Sequence, residues 1–298
     1  MLQIQSLDAQ QRKTTLEIDP VSGGVVCSYA TECGNGLRHW FAPADETRPA
    51  CFAMVPFCSR IAHGTFDFAG QTIRLRANNP PEPHAIHGHG LMRSWQVLEH
   101  RETEIVLGFE HEPDEWPWRY RATARYALRG MSMRVELALH NLSARIMPAG
   151  LGLHPYLPCP AATQLQAGVS GWLQLDDELL PVAVKPLPEA LNLTAGITVA
   201  EQSLDHVFLG WDGRATVQWP GLPRPAIGPA RMLLQSSAPY LVVWAPGGDF
   251  FCVEGVSNLP DAFNGRLAGM LKTQAGFVRL APGEVHAVTW SFSPEVID

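Results

Sequence analysis

Residues 84–90 read HAIHGHG, three histidines in seven positions, a density that suits metal binding, proton transfer or an ordinary polar loop. His87 and His89 offer two imidazoles to a divalent metal if a distant carboxylate and a further histidine complete the shell. No such ligands follow at a fixed spacing, and His89 lies between two glycines in a sharp turn, so no metal is expected. His84, beside Pro83, reads as a surface loop residue. His154 sits in GLGLHPYLP (150–158), an almost uncharged stretch, where an imidazole must find a hydrogen-bond partner or give up its proton. In FFCVEGVSNLPDAFN (250–264) Glu254 interrupts an apolar run and alternates with Cys252 and Val256. A carboxylate there costs several kcal/mol unless it is paired or hydrogen-bonded, which makes Glu254 half of a structural ion pair or part of a site. Arg60, after VPFCS, and Asp205, at the head of DHVFLGW, are isolated charges open to the same two readings.

Such residues need elements to hold them, and period-two alternation dominates the chain. In MSMRVELAL (131–139) Met131, Met133, Val135, Leu137 and Leu139 share one face while Ser132, Arg134 and Glu136 share the other, as a half-buried strand requires. YRATARYAL (120–128) alternates in the same way, and the RG at 129–130 reads as the turn between the two. Similar short runs recur at 65–75, 103–112, 215–220, 240–246 and 250–257, and again on both sides of APGE (281–284). With 26 glycines, 25 prolines and no long stretch of 3.6 period, helix is disfavoured almost throughout. The pattern predicts an all-β fold, a large antiparallel sandwich or barrel. The proline-rich stretches at 181–189 and 217–230 are short and bracketed by strand-like sequence, so they read as sheet-connecting loops within one domain over 1–298.

Composition narrows the function classes. The net charge of −7 arises from 22 basic and 29 acidic residues, and the three lysines, Lys13, Lys185 and Lys272, leave few candidates for Schiff-base chemistry. Neither nucleic acid nor an anionic membrane is an expected partner. The six cysteines include no C-x-x-C pair and are expected as free thiols. The first residues lack the charged and apolar segments of a signal peptide, and no run approaches the roughly 18 apolar residues of a membrane helix. The expectation is a soluble cytoplasmic protein, monomer or homodimer.

Taken in order, PFCSRI (56–61), NNPPEPHAIHGHG (78–90), GLGLHPYL (150–157), DHVF (205–208) and the stretch around Glu254 resemble the aldose 1-epimerases, or mutarotases, from about residue 20 to 293. Each motif is short, but five in the correct order make a specific signal. The resemblance implies a single large antiparallel β-sandwich of the galactose mutarotase-like supersandwich type, with a sugar cleft on one concave sheet face. It implies an isomerase that acts on a free aldose and needs neither metal nor organic cofactor. His154 then looks like the general acid and Glu254 like the general base, while Arg60, His87 and Asp205 look like contacts to sugar hydroxyls or the ring oxygen.

Opening an aldopyranose requires loss of the proton on O1 and gain of one on the ring oxygen, which a carboxylate and an imidazolium can accomplish together. Glu254 must then be ionised and His154 protonated at neutral pH. Their proximity favours those charges and desolvation opposes them. The chain also departs from its relatives. GVSN (255–258) puts Asn258 where many of them carry histidine, the loop before His87 contains PPEP (80–83), and EWPWRYRA (115–122) resembles a subset with an aromatic-rich loop over the cleft. Trp116 and Trp118 there offer flat faces to a pyranose, although core packing suits most of the nine tryptophans better. The basic residues form no cluster that would favour a phosphosugar. A non-catalytic carbohydrate-binding β-sandwich is the alternative, and it has no use for a glutamate and a histidine matched as base and acid. A glycosidase would want two facing carboxylates.

Overall fold

Strand alternation carries through into burial. In the computed structural model, which describes residues 1–34, 36–221, 228–265 and 276–297, the strands Tyr120–Arg129 and Ser132–Asn141 bury every second side chain, from Tyr120 to Leu128 and from Met133 to Leu139. They pair from Tyr120↔Asn141 to Arg129↔Ser132. Gly130 turns the chain at a φ of 58°, in the left-handed region that glycine adopts without a Cβ penalty. Lys272, and residues 222–227 of the proline-rich stretch at 217–230, lie outside the described residues.

Among the described residues the strands form two large antiparallel sheets, one of eleven strands and one of nine, together with three small two-stranded pairs. The two large sheets share an apolar core. Phe41 meets Phe292 edge-on at 4.9 Å, Trp40 packs on Trp219 at 6.2 Å, and the Trp290 indole N–H donates to the Gly255 carbonyl at 3.1 Å. The fold is an all-β sandwich, as the alternation requires. The helical elements among the described residues are single 3-10 turns, and no helix is long and apolar enough to cross a membrane. The six cysteines are unbridged.

Five strands lie side by side at the middle of the larger sheet, in the order Cys51–Met54, Gly152–Pro158, Phe250–Val256, Tyr240–Ala245 and Leu204–Leu209. Directly paired residues point to the same face and successive residues to opposite faces. The pairs His154↔Phe52, Tyr156↔Cys252, Val242↔Glu254 and Asp205↔Trp244 therefore stand on one face. Ala53, Leu153, Val243, Phe251 and Val253, between them in sequence, fill the sandwich core on the other. A smaller apolar cluster that includes Met54, Val207 and Val256 covers the outer face around His154.

Two chain segments are clamped together over this outer face. Arg60 pairs with Ile86, and Val55 bridges to Gly88. The Val55 carbonyl also accepts the His89 and Gly90 N–H groups at 2.6 and 3.1 Å. Asn258 staples the first segment from below: its amide oxygen accepts the Cys58 N–H at 2.7 Å, and its NH₂ donates to the Cys58 and Leu259 carbonyls at 2.9 and 3.0 Å. The residue that departs from the relatives' histidine is thus a buried brace beneath the loop that delivers Arg60. Gly88 has a φ of 67°, and a Cβ there would lie 2.2 Å from the Val55 oxygen. Gly88→Ala is expected to lower unfolding stability by at least about 2 kcal/mol in urea denaturation. An unchanged midpoint would mean that the two segments are not clamped at this point.

Candidate active site

A cavity of about 510 Å³ opens on the outer face of the larger sheet, and Arg60, His87, His154, Asp205 and Glu254 all line it. Its size is that of an ordinary small-molecule site. His154 and Glu254 form its floor. The pairs Gly152↔Val256 and Tyr156↔Cys252 set them across from one another on adjacent strands, with His154 Nε2 3.4 Å from Glu254 Oε1 and both side chains less than one-tenth exposed. The imidazole is held flat between two rings, Phe52 at 4.7 Å and Tyr156 at 4.8 Å, with the edge of Trp244 at 6.0 Å. Its Nδ1 finds no hydrogen-bond partner among the described residues.

Burial decides the charge of this pair. Desolvation pushes His154 down to about 3, so the ring is neutral at pH 7. Desolvation also raises Glu254 well above the usual carboxylate range; the Asp205 charge adds to the rise and Arg60 opposes it. Burial therefore drives both groups of this contact toward their neutral forms, His154 by giving up a proton and Glu254 by keeping one. Desolvation thus opposes the expected pair of an ionised Glu254 and a protonated His154, whose mutual attraction at 3.4 Å favours it.

The wall opposite is polar and net acidic. Arg60 directs its guanidinium onto Glu82, with Nε to Oε2 at 3.1 Å and Nη2 to Oε1 at 2.9 Å, and reaches Asp205 at 3.9 Å. Burial raises the Asp205 pKa and the Arg60 charge lowers it. His87, at a left-handed φ of 59°, accepts the Ser59 N–H on Nδ1 at 3.2 Å. Burial, followed by the neighbouring His154 and Arg60, pulls its pKa well down. The neutral ring must then carry its proton on Nε2. This leaves His87 a fixed donor beside His154, whose ring it meets edge-on at 5.4 Å.

A sequence model of the aldose 1-epimerase family matches residues 11–293. The chain belongs to the aldose 1-epimerase family. It is 29% identical over 273 residues to YphB, an uncharacterized protein of Escherichia coli K12, covering 88% of this chain and 89% of that one. An Escherichia coli K12 protein provisionally named an aldose 1-epimerase has the same fold, with a TM-score of 0.82 at 24% identity over 99% of both chains. A galactose mutarotase-like protein of Clostridium acetobutylicum reaches 0.80 at 16% identity, over 100% of this chain and 99% of that one.

Within this epimerase fold some sequence readings change. His84 is not a surface residue: Nδ1 accepts the His63 N–H at 3.1 Å and Nε2 lies 3.2 Å from the Glu178 carbonyl. Its neighbours Ala85 and Ile86 pair with Arg60–Ile61, which draws it inside. Trp116 and Trp118 form no aromatic cover for the cleft, because both are buried in the core. Trp116 packs on Phe57 and Phe66, and Trp118 donates to the Ile146 carbonyl. His89 stacks on His111 at 4.7 Å and meets the Tyr120 hydroxyl at 3.1 Å, so it braces its loop and does not converge with His87. The sequence reading missed the Phe52, Tyr156 and Trp244 platform, although alternation from His154 pointed to Tyr156. It also missed Glu82 as the partner of Arg60, since nothing local connects positions 22 residues apart.

A carboxyl whose pKa rises on folding keeps a proton that the unfolded chain releases near 4.5. Its contribution to stability is complete below that value and is lost as pH rises through the folded one. Glu254→Gln keeps the neutral shape and cannot ionise. The melting temperature of this variant relative to wild type should therefore climb as pH rises above about 5; a flat difference would mean that folding does not raise the Glu254 pKa.

Proposed function

We propose that the protein interconverts the α and β anomers of an uncharged free aldose, with Glu254 and His154 carrying the protons. The observation behind this reading is the buried carboxyl–imidazole contact of 3.4 Å on the floor of a cavity whose wall offers Arg60, His87 and Asp205 to hydroxyl groups. A family of sugar epimerases on the same fold supports it.

Proton bookkeeping links the resting pair to the reaction. When the ring opens, Glu254 as carboxylate takes the O1 proton and His154 as imidazolium gives one to the ring oxygen, leaving a protonated carboxyl and a neutral imidazole. That product state is the one burial favours in the resting site, so the free site is matched to the open-chain aldehyde. After rotation about C1–C2 the transfers reverse: Glu254 protonates the aldehyde oxygen, His154 takes the proton from the C5 hydroxyl, and the ring closes on the other face. A cyclic sugar enters the cycle once a single proton has moved from Glu254 to His154, a step that sugar hydroxyls donating to the new carboxylate would assist. Each positioned transfer supplies roughly 10² to 10⁴ in rate, and the cycle closes on these two side chains without a cofactor.

Specificity follows from the wall. Arg60 is the one Lys or Arg among the described lining residues, and Glu82 and Asp205 already engage it. No cation is left over for a phosphate, so a neutral sugar gripped by its distal hydroxyls suits the site. His87 Nε2–H serves as a donor to the sugar near the reacting end.

Proton NMR of the anomeric signals of freshly dissolved α-galactose, α-glucose, α-xylose, α-arabinose and glucose 6-phosphate tests this directly. Wild type should accelerate at least one neutral sugar far above buffer and the phosphosugar least. Arg60→Ala should raise KM by about 10- to 100-fold with a smaller change in kcat. Binding of sugars without acceleration of any would make this a carbohydrate-binding protein instead.

A further inference from the structure

We infer that His154, Glu254 and Cys252 together form an inhibitory site for a thiophilic divalent cation of the zinc class. Cys252 lies two residues before Glu254 on the same strand and face, across from Tyr156. The ligand atoms of the three side chains all lie within 4.8 Å of one another. The His154–Glu254 edge of 3.4 Å is that of a tetrahedron built on metal–ligand bonds of about 2.0–2.1 Å. Thiol, imidazole and carboxyl make a donor set suited to zinc and unsuited to magnesium or calcium, which take oxygen ligands. Three protein ligands leave a fourth position for water, facing the cavity into which His154 and Glu254 project.

Coordination occupies the lone pair of His154 Nε2 and sends the Cys252 and Glu254 protons to solvent, with no electron transferred. It therefore takes up both proton carriers at once, and the inhibitory part of the inference rests on the mutarotase reading. Resident zinc histidines donate their second nitrogen to a fixed partner, and loss of that partner weakens binding by about 10- to 100-fold. His154 Nδ1 has none among the described residues. The site thus suits a reversible inhibitor and not a permanent cofactor.

Titrating the full chain with Co²⁺ under reducing conditions gives a readout that does not need activity, the thiolate-to-cobalt charge-transfer band in the near ultraviolet. Wild type should show one cobalt per chain with this band, bleached by Zn²⁺, and both Cys252→Ala and Cys252→Ser should lack it while melting cooperatively. In the anomer assay, Zn²⁺ should stop wild type reversibly to chelator, and Cys252→Ala should tolerate at least about tenfold more zinc. A band of equal intensity in both Cys252 variants, or no band in folded wild type at saturating cobalt, overturns the site. A Cys252-dependent band in a protein that turns over no sugar upholds the site and sinks the mutarotase reading. Turnover with equal zinc sensitivity in wild type and Cys252→Ala leaves the mutarotase reading intact and sinks the site.

Discussion

Desolvation at the centre of the larger sheet is the constraint on which the rest of the site depends. His154 and Glu254 stand opposite one another on adjacent inner strands, with the imidazole held between the rings of Phe52 and Tyr156. In such a place a charge is expensive and a shared proton is cheap. Burial consequently favours the neutral pair, with the proton on the carboxyl, and this is also the state that an opened sugar would leave behind. One environment thus holds the two groups together and favours the proton on the carboxyl, so a cyclic sugar has to offset that preference before the transfer can run.

The remaining polar groups arrive from outside the sheet, on loops that must be fixed by other means. Asn258 holds the backbone of Cys58 from beneath, Gly88 lets the histidine loop touch the Val55 carbonyl, and the Ser59 N–H sets the tautomer of His87. Glu82 and Asp205 fix the guanidinium of Arg60. These are backbone contacts and charge pairs at short range, so the loops behave as rigid extensions of the strands. A substitution at Asn258 or Gly88 acts on the cavity wall through the backbone that carries it.

How much of this the sequence disclosed depended on the range over which each interaction acts. Alternation in 120–139 specified both strands, their turn and their buried faces, because period-two patterning is a local record of which side meets the core. Glu254 stood out because a carboxylate in an apolar strand demands a reason, and His154 did for the same cause. The charge state of the pair was not legible: it follows from the depth of burial, which the surrounding rings and strands set. The reading of His84 as a surface residue failed, and the cleft-side alternative for Trp116 and Trp118 gave way to the core packing that suits most of the tryptophans, because polar and proline-rich loop composition does not reveal what other segments pack over it. Glu82 belongs to the PPEP stretch that the sequence marked only as a departure, and its bond to Arg60 exists only in the folded chain.

The central claim is that His154 and Glu254 move protons, beyond lining a cavity. Its most direct test compares turnover and sugar affinity in the same variants, His154→Asn and Glu254→Gln, using the aldose that wild type converts fastest. The account predicts that each variant loses turnover by about 10² to 10⁴ while its dissociation constant for the sugar stays within about tenfold of wild type. Turnover near the wild-type rate in either variant, or a loss of turnover matched by an equal loss of affinity, would contradict it.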